Sequence, residues 1–182
     1  TWLTEFALVT GLLRTRFGRA GEYAPFNVPP GVDRSFVRSL KSAGYYTVAL
    51  YPVAGGMMKA RKAYAAYGFD EFLDSGNLGL AGTYGTRDGV IHAAAVKALH
   101  AAQAHGKPVF LMAVTIFNHS EHGVSMERVP ESIRTAAGKV MDSAAERDNL
   151  ADYVWRTRDF EAAYASTRAA VLRGGQAPVL AW

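Results

Sequence analysis

Val109-Phe-Leu-Met-Ala-Val-Thr-Ile116 is an apolar run broken only by one threonine, introduced by Lys107-Pro108 and followed at once by polar residues. A strand with one wet face alternates apolar and polar residues, and this run does not. It predicts a strand covered on both faces, the condition of a parallel sheet flanked by helices. At eight residues it is far shorter than the roughly 20 a membrane helix needs.

Working outward, Arg87 or Asp88 through Ala104 has helical spacing, with Val90, Ile91, Ala94, Val96 and Leu99 inward and Gly106 as its stop. Tyr45 to Tyr51 is rich in β-branched and aromatic residues and predicts a second strand. A helix capped by Asp33 precedes it, with Phe36, Val37 and Leu40 on its apolar face and Ala43-Gly44 at its end. A turn over Pro52–Gly56 and a helix over Met57–Tyr67, ended by Gly68, follow it. Phe69 to Phe72 is a short extended or turn segment, and Asn77 to Thr86 a glycine-rich loop. Towards the start, Thr4 to Leu13 predicts a helix with Thr4 as N-cap, and Phe17 to Gly31 a loop stopped by Pro29-Pro30-Gly31. Beyond Ile116 a polar loop runs to Val140. Ala144 to Arg173 reads as mostly helix, Gly174-Gly175 as its stop, and Pro178 to Trp182 as a third strand. Alternating helices and strands predict an α/β fold with a mostly parallel sheet flanked by helices.

The 182 residues are 49% hydrophobic and 20% charged, the balance of a globular domain and not of a disordered segment. A net charge of +4 suits anionic partners. The basic residues (Arg14, Arg16, Arg19, Arg34, Arg38, Lys41 and others) are scattered and not clustered among aromatics, so nucleic acid is not an expected partner. With no cysteine, thiol catalysis, thiolate metal sites and disulfides are excluded. P-loop, GxGxxG, GxSxG and HExxH motifs do not occur.

Ligands of open α/β sheets bind beyond the carboxyl ends of the strands. Two loops leave such ends: one after Tyr51, leading to Lys59 and Arg61, and one after Ile116, carrying Asn118, His119, Glu121 and His122. His119 reads equally as a surface histidine or as a group placed for chemistry. His119 and His122 have a spacing found in metal sites, but with no evident third ligand they read as solvated. His92, His100 and His105 lie on or just after a helix and read as surface or interhelical residues. Thr1 is a candidate nucleophile. Glu5, one helical turn on, suits a helix N-terminus.

Several segments in order resemble one family. Thr1-Trp-Leu-Thr-Glu-Phe-Ala-Leu-Val-Thr-Gly-Leu12 is similar to the nucleophile segment of lipoteichoic-acid-synthase-like phosphoglycerol transferases. Ser39 to Ala49, Ala60-Arg-Lys-Ala-Tyr64, Gly68-Phe-Asp-Glu-Phe-Leu-Asp74, Pro108 to His119, and Arg147-Asp148 through Asp159 resemble successive family segments. Pro178-Val-Leu-Ala-Trp182 resembles the strand before the family's Gly-Asp-His. The resemblance spans Thr1 to Trp182 and implies an incomplete alkaline-phosphatase/sulfatase-like domain over residues 1–182. The upstream strand with an acidic metal ligand and the downstream Asp-His segment lie outside this chain, so it is expected to be an internal fragment with an exposed sheet edge.

The resemblance further implies a metal-dependent transferase or hydrolase acting on phosphodiesters, such as phosphoglycerol or phosphoethanolamine transfer to an envelope glycan or lipid. One divalent ion (Mn, Zn or Mg) would activate a threonine nucleophile. Thr1 matches that nucleophile and metal ligand, and His119 the loop histidine at the phosphoryl or leaving group. Arg61 and Asn118 match substrate contacts, although Met57-Met58 stand where the family has an aromatic before the arginine. The complete protein is expected to be anchored in a bacterial inner membrane, with this domain on the periplasmic or extracytoplasmic side. The C/S-x-P-x-R segment of sulfatases is absent, which ranks sulfuric-ester hydrolysis second. A non-catalytic remnant binding anionic glycan or lipid is the third reading.

Overall fold

A computed structural model describes residues 2–27, 33–119 and 121–173. It divides into two compact units, Thr1–Thr83 with Lys97–Val114, and Tyr84–Val96 with Thr115–Trp182.

The first unit is built on a parallel sheet in the order β2-β1-β3, formed by β1 (Tyr46–Leu50), β2 (Glu71–Leu73) and β3 (Val109–Ala113). Val48 pairs with Glu71 on one side and Leu111 on the other. Thr47, Val48, Ala49 and Leu50 are all fully buried, so β1 is the strand covered on both faces. The apolar run of β3 is only half-buried, because it pairs with β1 on one edge and has no strand partner on the other among the described residues. Three helices pack with β1. They are α1 (Trp2–Thr10), α3 (Phe36–Ser42) and α4 (Ala60–Tyr67), and they bury Phe6, Val9, Val37, Ala63 and Tyr64 with Ala49. Phe6, Val9 and Val37 each stabilise by about 1.5–3 kcal/mol when removed from water.

The chain changes direction where the sequence permits it. Gly68 closes α4 at φ +102, and a Cβ there would lie 2.7 Å from the Arg38 side chain, whose guanidinium donates to the Ala66 carbonyl at 2.8 Å. Met58 and Lys59, just before α4, occupy the left-handed region without being glycine, a conformation of some strain.

Several expectations shift. Helix α1 starts at Trp2 and stops at Gly11 (φ +70), so Thr4 lies inside its first turn and not at its cap. Ser35, not Asp33, caps α3: its Oγ accepts from the Arg38 amide at 3.0 Å and donates to the Tyr67 carbonyl at 2.5 Å. Part of the expected loop after Phe17 is 3-10 helix (Arg14–Tyr23, kinked at Gly18) and a short helix α2 (Ala24–Asn27). Such i→i+3 turns have no apolar period to announce them. The segment after Phe69 forms β2, and a short helix α5 (Ser75–Leu78) follows it. Pro29-Pro30-Gly31, Gly174-Gly175 and the strand expected at 178–182 lie outside the described residues.

The second unit holds the first turns of α6 (Asp88–Gln103), α7 (Glu131–Ala137) and α8 (Ala144–Arg173). Helix α6 buries Ile91, Ala95, Ala98 and Ala102 and leaves Val90 51% exposed, so the expected inward face is rotated. Helix α7 interrupts the expected polar loop because Val129, Ile133 and Ala137 pack on Ala151 of α8.

Asp70 ties β2 to the sheet centre: its carboxylate accepts from the Thr47 amide and hydroxyl, both at 2.9 Å, and pairs with Lys41 at 2.7 Å. Burial alone would raise its pKa, but these donors outweigh burial and hold it below the ordinary value. Asp70→Ala leaves a donor of the central strand unpaired and is expected to cost about 1–3 kcal/mol in urea unfolding. Because the folded pKa is lowered, the wild-type advantage is full above about pH 4 and disappears as the pH falls through the folded value.

Candidate functional site

The loop after β3 is fixed within the second unit by side chains from α8. Ile116 and Phe117 are buried, and the Phe117 ring meets Trp155 edge-on at 5.4 Å. Arg156 then takes over the backbone. Its Nη1 donates to the Phe117 carbonyl at 2.9 Å and the His119 carbonyl at 3.1 Å. Its Nε and Nη2 donate to the two oxygens of Asp152 at 2.8 and 2.7 Å. Asp152 accepts in addition from the Gly123 amide at 2.8 Å. The ion pair is buried, with side-chain exposures of 8% and 0%. Such a pair is tolerated only when hydrogen bonds satisfy both partners, and here they grip both ends of the segment 117–123.

A second clamp comes from α6. Asp88 is 1% exposed and accepts from the Phe117 amide at 3.4 Å. Its pKa is pushed up to about 6, first by burial. The Phe117 amide opposes the rise and the nearby charge of Asp159 adds to it. Asp159 pairs with Arg87. One carboxylate oxygen of each aspartate, the Thr86 hydroxyl, His92 Nε2 and the Asn118 carbonyl oxygen are buried without a hydrogen-bond partner among the described residues.

The expected site residues fall as follows. Thr1 lies outside the described residues. His119 is exposed, and its ring stacks on Tyr84 with centroids 4.3 Å apart and planes 20° apart. Asn118 Nδ2 donates to the Thr157 hydroxyl at 3.0 Å. These two lie together in the second unit. Arg61 lies in the first unit, paired with Asp74, its guanidinium 5.1 Å from the Phe72 ring centre. Asp74 also caps α5 and accepts from the Gly55 amide at 3.0 Å, so Arg61 is an ordered cation.

His122 meets Tyr153 edge-on at 5.5 Å, and its pKa is lowered by burial and then by the charge of Arg156. His92 contacts the Thr167 hydroxyl at 3.0 Å and the Phe160 ring, an interhelical role. His105 stacks on Tyr46. Glu5 accepts from the Tyr64 hydroxyl at 2.5 Å, and burial raises its pKa. Among the described residues, no three His, Asp or Glu side chains are grouped to hold a metal ion.

Sequence reading did not single out Arg156, Asp152, Asp88, Tyr84 or Trp155. The 152/156 spacing, one turn apart on a helix, is a visible pair signal, but burial is what makes it matter. His119 opens onto a cavity of about 410 Å³ in this unit, lined also by Tyr84, Phe117, Trp155 and Arg128.

The model of the Sulfatase family matches residues 1–163. In structure the chain is similar to the lipoteichoic acid synthase LtaP from Listeria monocytogenes, with a TM-score of 0.74 at 15% identity over 95% of this chain and 40% of that one. It is also similar to a protein of the alkaline phosphatase superfamily from Vibrio parahaemolyticus, with a TM-score of 0.56 at 20% identity over 88% of this chain and 38% of that one. At these identities the likeness shows the fold: an α/β domain with a parallel sheet flanked by helices. An uncharacterized protein of Haemophilus influenzae is 38% identical over 79 residues, 43% of this chain and 14% of that protein. The chain thus spans well under half the length of each.

Arg156→Met leaves Asp152 buried and uncompensated and is expected to cost about 3–5 kcal/mol, measured by urea unfolding. Asp88 gives the opposite pH trend to Asp70. Its raised pKa means the folded state holds a proton that the unfolded state has lost, so its contribution to stability falls as pH rises from about 4 to about 6 and then levels. Asp88→Asn should abolish that fall, read as unfolding midpoints at pH 4.5 and 7.

Proposed function

Because this chain belongs to the sulfatase family, we propose that it is part of a transferase or hydrolase of envelope phosphodiesters, with Thr1 as nucleophile and His119 at the phosphoryl or leaving group. The observation that carries the reading is the His119 loop. It follows the carboxyl end of a parallel strand, where α/β sheets bind ligands, and buried Asp152, Arg156 and Asp88 fix its backbone while the imidazole stays exposed. A group that meets a developing charge needs that preorganisation.

In this reading the Thr1 hydroxyl loses its proton to solvent and its oxygen attacks phosphorus, and a covalent threonine phosphodiester that keeps one ester group of the donor forms as the donor's other alcohol leaves. His119 supplies the proton or hydrogen bond to that leaving oxygen. An acceptor hydroxyl or water then attacks the same phosphorus, takes the phosphoryl group with its remaining ester, and restores the Thr1 hydroxyl. Asn118, beside His119 in the second unit, contacts the substrate. Members of the superfamily typically use divalent metals, and such an ion would offset charge on the phosphoryl oxygens. The described residues form no cage for it. The substrate is a lipid or glycan phosphodiester, and nucleic acid is not a partner. On the same reading the complete protein is anchored at a bacterial inner membrane with this domain on the extracytoplasmic side. No helix among the described residues is long and apolar enough to cross a membrane.

Sulfuric-ester hydrolysis is the second reading, favoured by the family match itself. Against it, the chain has neither a cysteine nor a C/S-x-P-x-R segment.

Thr1→Ala in the complete protein is expected to abolish transfer from a phosphodiester donor, and His119→Ala to lower kcat by about 10²–10⁴. Undiminished turnover in Thr1→Ala would remove Thr1 from the mechanism. Turnover of an aryl sulfate but not of a phosphodiester would install the second reading, and turnover of neither would leave the binding remnant.

A further inference from the structure

The cavity beside His119 has a lining that the reaction outlined above does not use. At about 410 Å³ it falls within the roughly 300–1,000 Å³ of small-molecule sites. Tyr84 stacks on His119 and remains 45% exposed. Phe117 is buried against Trp155, and all three aromatic rings line the cavity.

The charges in the lining are not equivalent. Arg156 is already committed through Nε and both Nη atoms to Asp152, Phe117 and His119, so it shapes the cavity without binding its occupant. Arg128 is different. Its contact with Glu127 is a 3.6 Å pair between side chains 68% and 71% exposed, and such pairs are worth little. Its guanidinium therefore remains available to an anion. Glu121 and Ser125 also line the cavity. A carboxylate and a hydroxyl accept from alcohol groups, and the carboxylate repels a ligand that is all negative charge.

Flat apolar rings, acceptors for hydroxyls and, among the described residues of the lining, a single available guanidinium together describe one ligand class. We propose that this cavity binds a sugar ring bearing one phosphate, with the ring against Tyr84 and Trp155 and the phosphate on Arg128. The proposal rests on the preceding reading for its link to the reaction, since it places the carbohydrate part of the substrate beside His119. Binding itself does not require turnover.

The test is calorimetric titration of the complete protein with glucose 1-phosphate, methyl glucoside and inorganic phosphate. Glucose 1-phosphate should bind more tightly than either fragment. Tyr84→Ala and Arg128→Ala, both at exposed positions, should each weaken it by about tenfold or more. Equal affinity for glucose 1-phosphate in wild type, Tyr84→Ala and Arg128→Ala would overturn the proposal. So would phosphate binding as tightly as the sugar phosphate, or no saturable binding of the sugar phosphate. If Thr1→Ala still turns over substrate while Tyr84→Ala loses affinity, the nucleophile assignment fails and the cavity stands. If Thr1→Ala is dead and both cavity variants bind normally, the cavity assignment fails alone.

Discussion

The buried pair of Asp152 and Arg156 is the interaction on which the second unit depends. A charge moved from water into a protein interior costs several kcal/mol even after relaxation. The pair persists because none of that charge is left unanswered: two bonds between the partners, two carbonyls on the guanidinium, and an amide on the carboxylate. Every one of those extra partners belongs to the segment 117–123. The loop is thus the condition for burying the pair, and the pair is the condition for ordering the loop. An apolar replacement of the same volume could match the stability, but it would have nothing to hold the Phe117 and His119 carbonyls.

The first unit solves the same problem with different chemistry. Its centre is β1, and the polar group buried there is the Thr47 hydroxyl, answered by Asp70. Lys41 then answers Asp70 from the helix before β1. Asp74, four residues on, does similar work at the end of β2, where it caps α5, accepts from Gly55 and holds Arg61. Two aspartates flanking one short strand therefore fix four elements to it, β1, α3, α4 and α5, which is how a strand as short as Glu71–Leu73 stays in register.

These arrangements explain what sequence could and could not reveal. Strand Val109–Ala113 and helix Asp88–Gln103 were legible, because long apolar runs and long helical periods are read directly from residue order. The fold class followed from their alternation. Strand β2 was not legible as a strand, since three residues carry no period and its stability lies in partners distant in sequence. Which strand is buried on both faces was also misplaced, because that depends on neighbour count in the sheet and not on composition. The place of Asn118 and His119 in the loop after a strand was legible from residue order. Asp152 and Arg156 sit one turn apart on a helix, but Arg158 and Glu161 are similarly spaced and exposed. Only the fold tells such pairs apart.

The same distinction governs how charge should be read for function. A net charge of +4 suggests a general affinity for anions, yet the arginines of this chain divide by what already surrounds them. Arg156 donates through all three of its guanidinium nitrogens, and Arg87 and Arg61 are engaged by Asp159 and Asp74. Releasing Arg156 or Arg87 to a substrate would strand a carboxylate. For Asp159 that carboxylate is mostly buried (side chain 9% exposed), and the cost of leaving it bare exceeds what an added phosphate contact returns. Arg61 is the intermediate case, since its side chain is 55% exposed beside an Asp74 that keeps the Gly55, Gly76 and Asn77 amides. It can turn toward an anion without abandoning Asp74 to an empty interior. Arg128, whose partner Glu127 is 71% exposed, gives up least. How available each of these arginines is to an anion is therefore set by the cost of what it must leave behind, and that cost rises from Arg128 through Arg61 to Arg87 and Arg156.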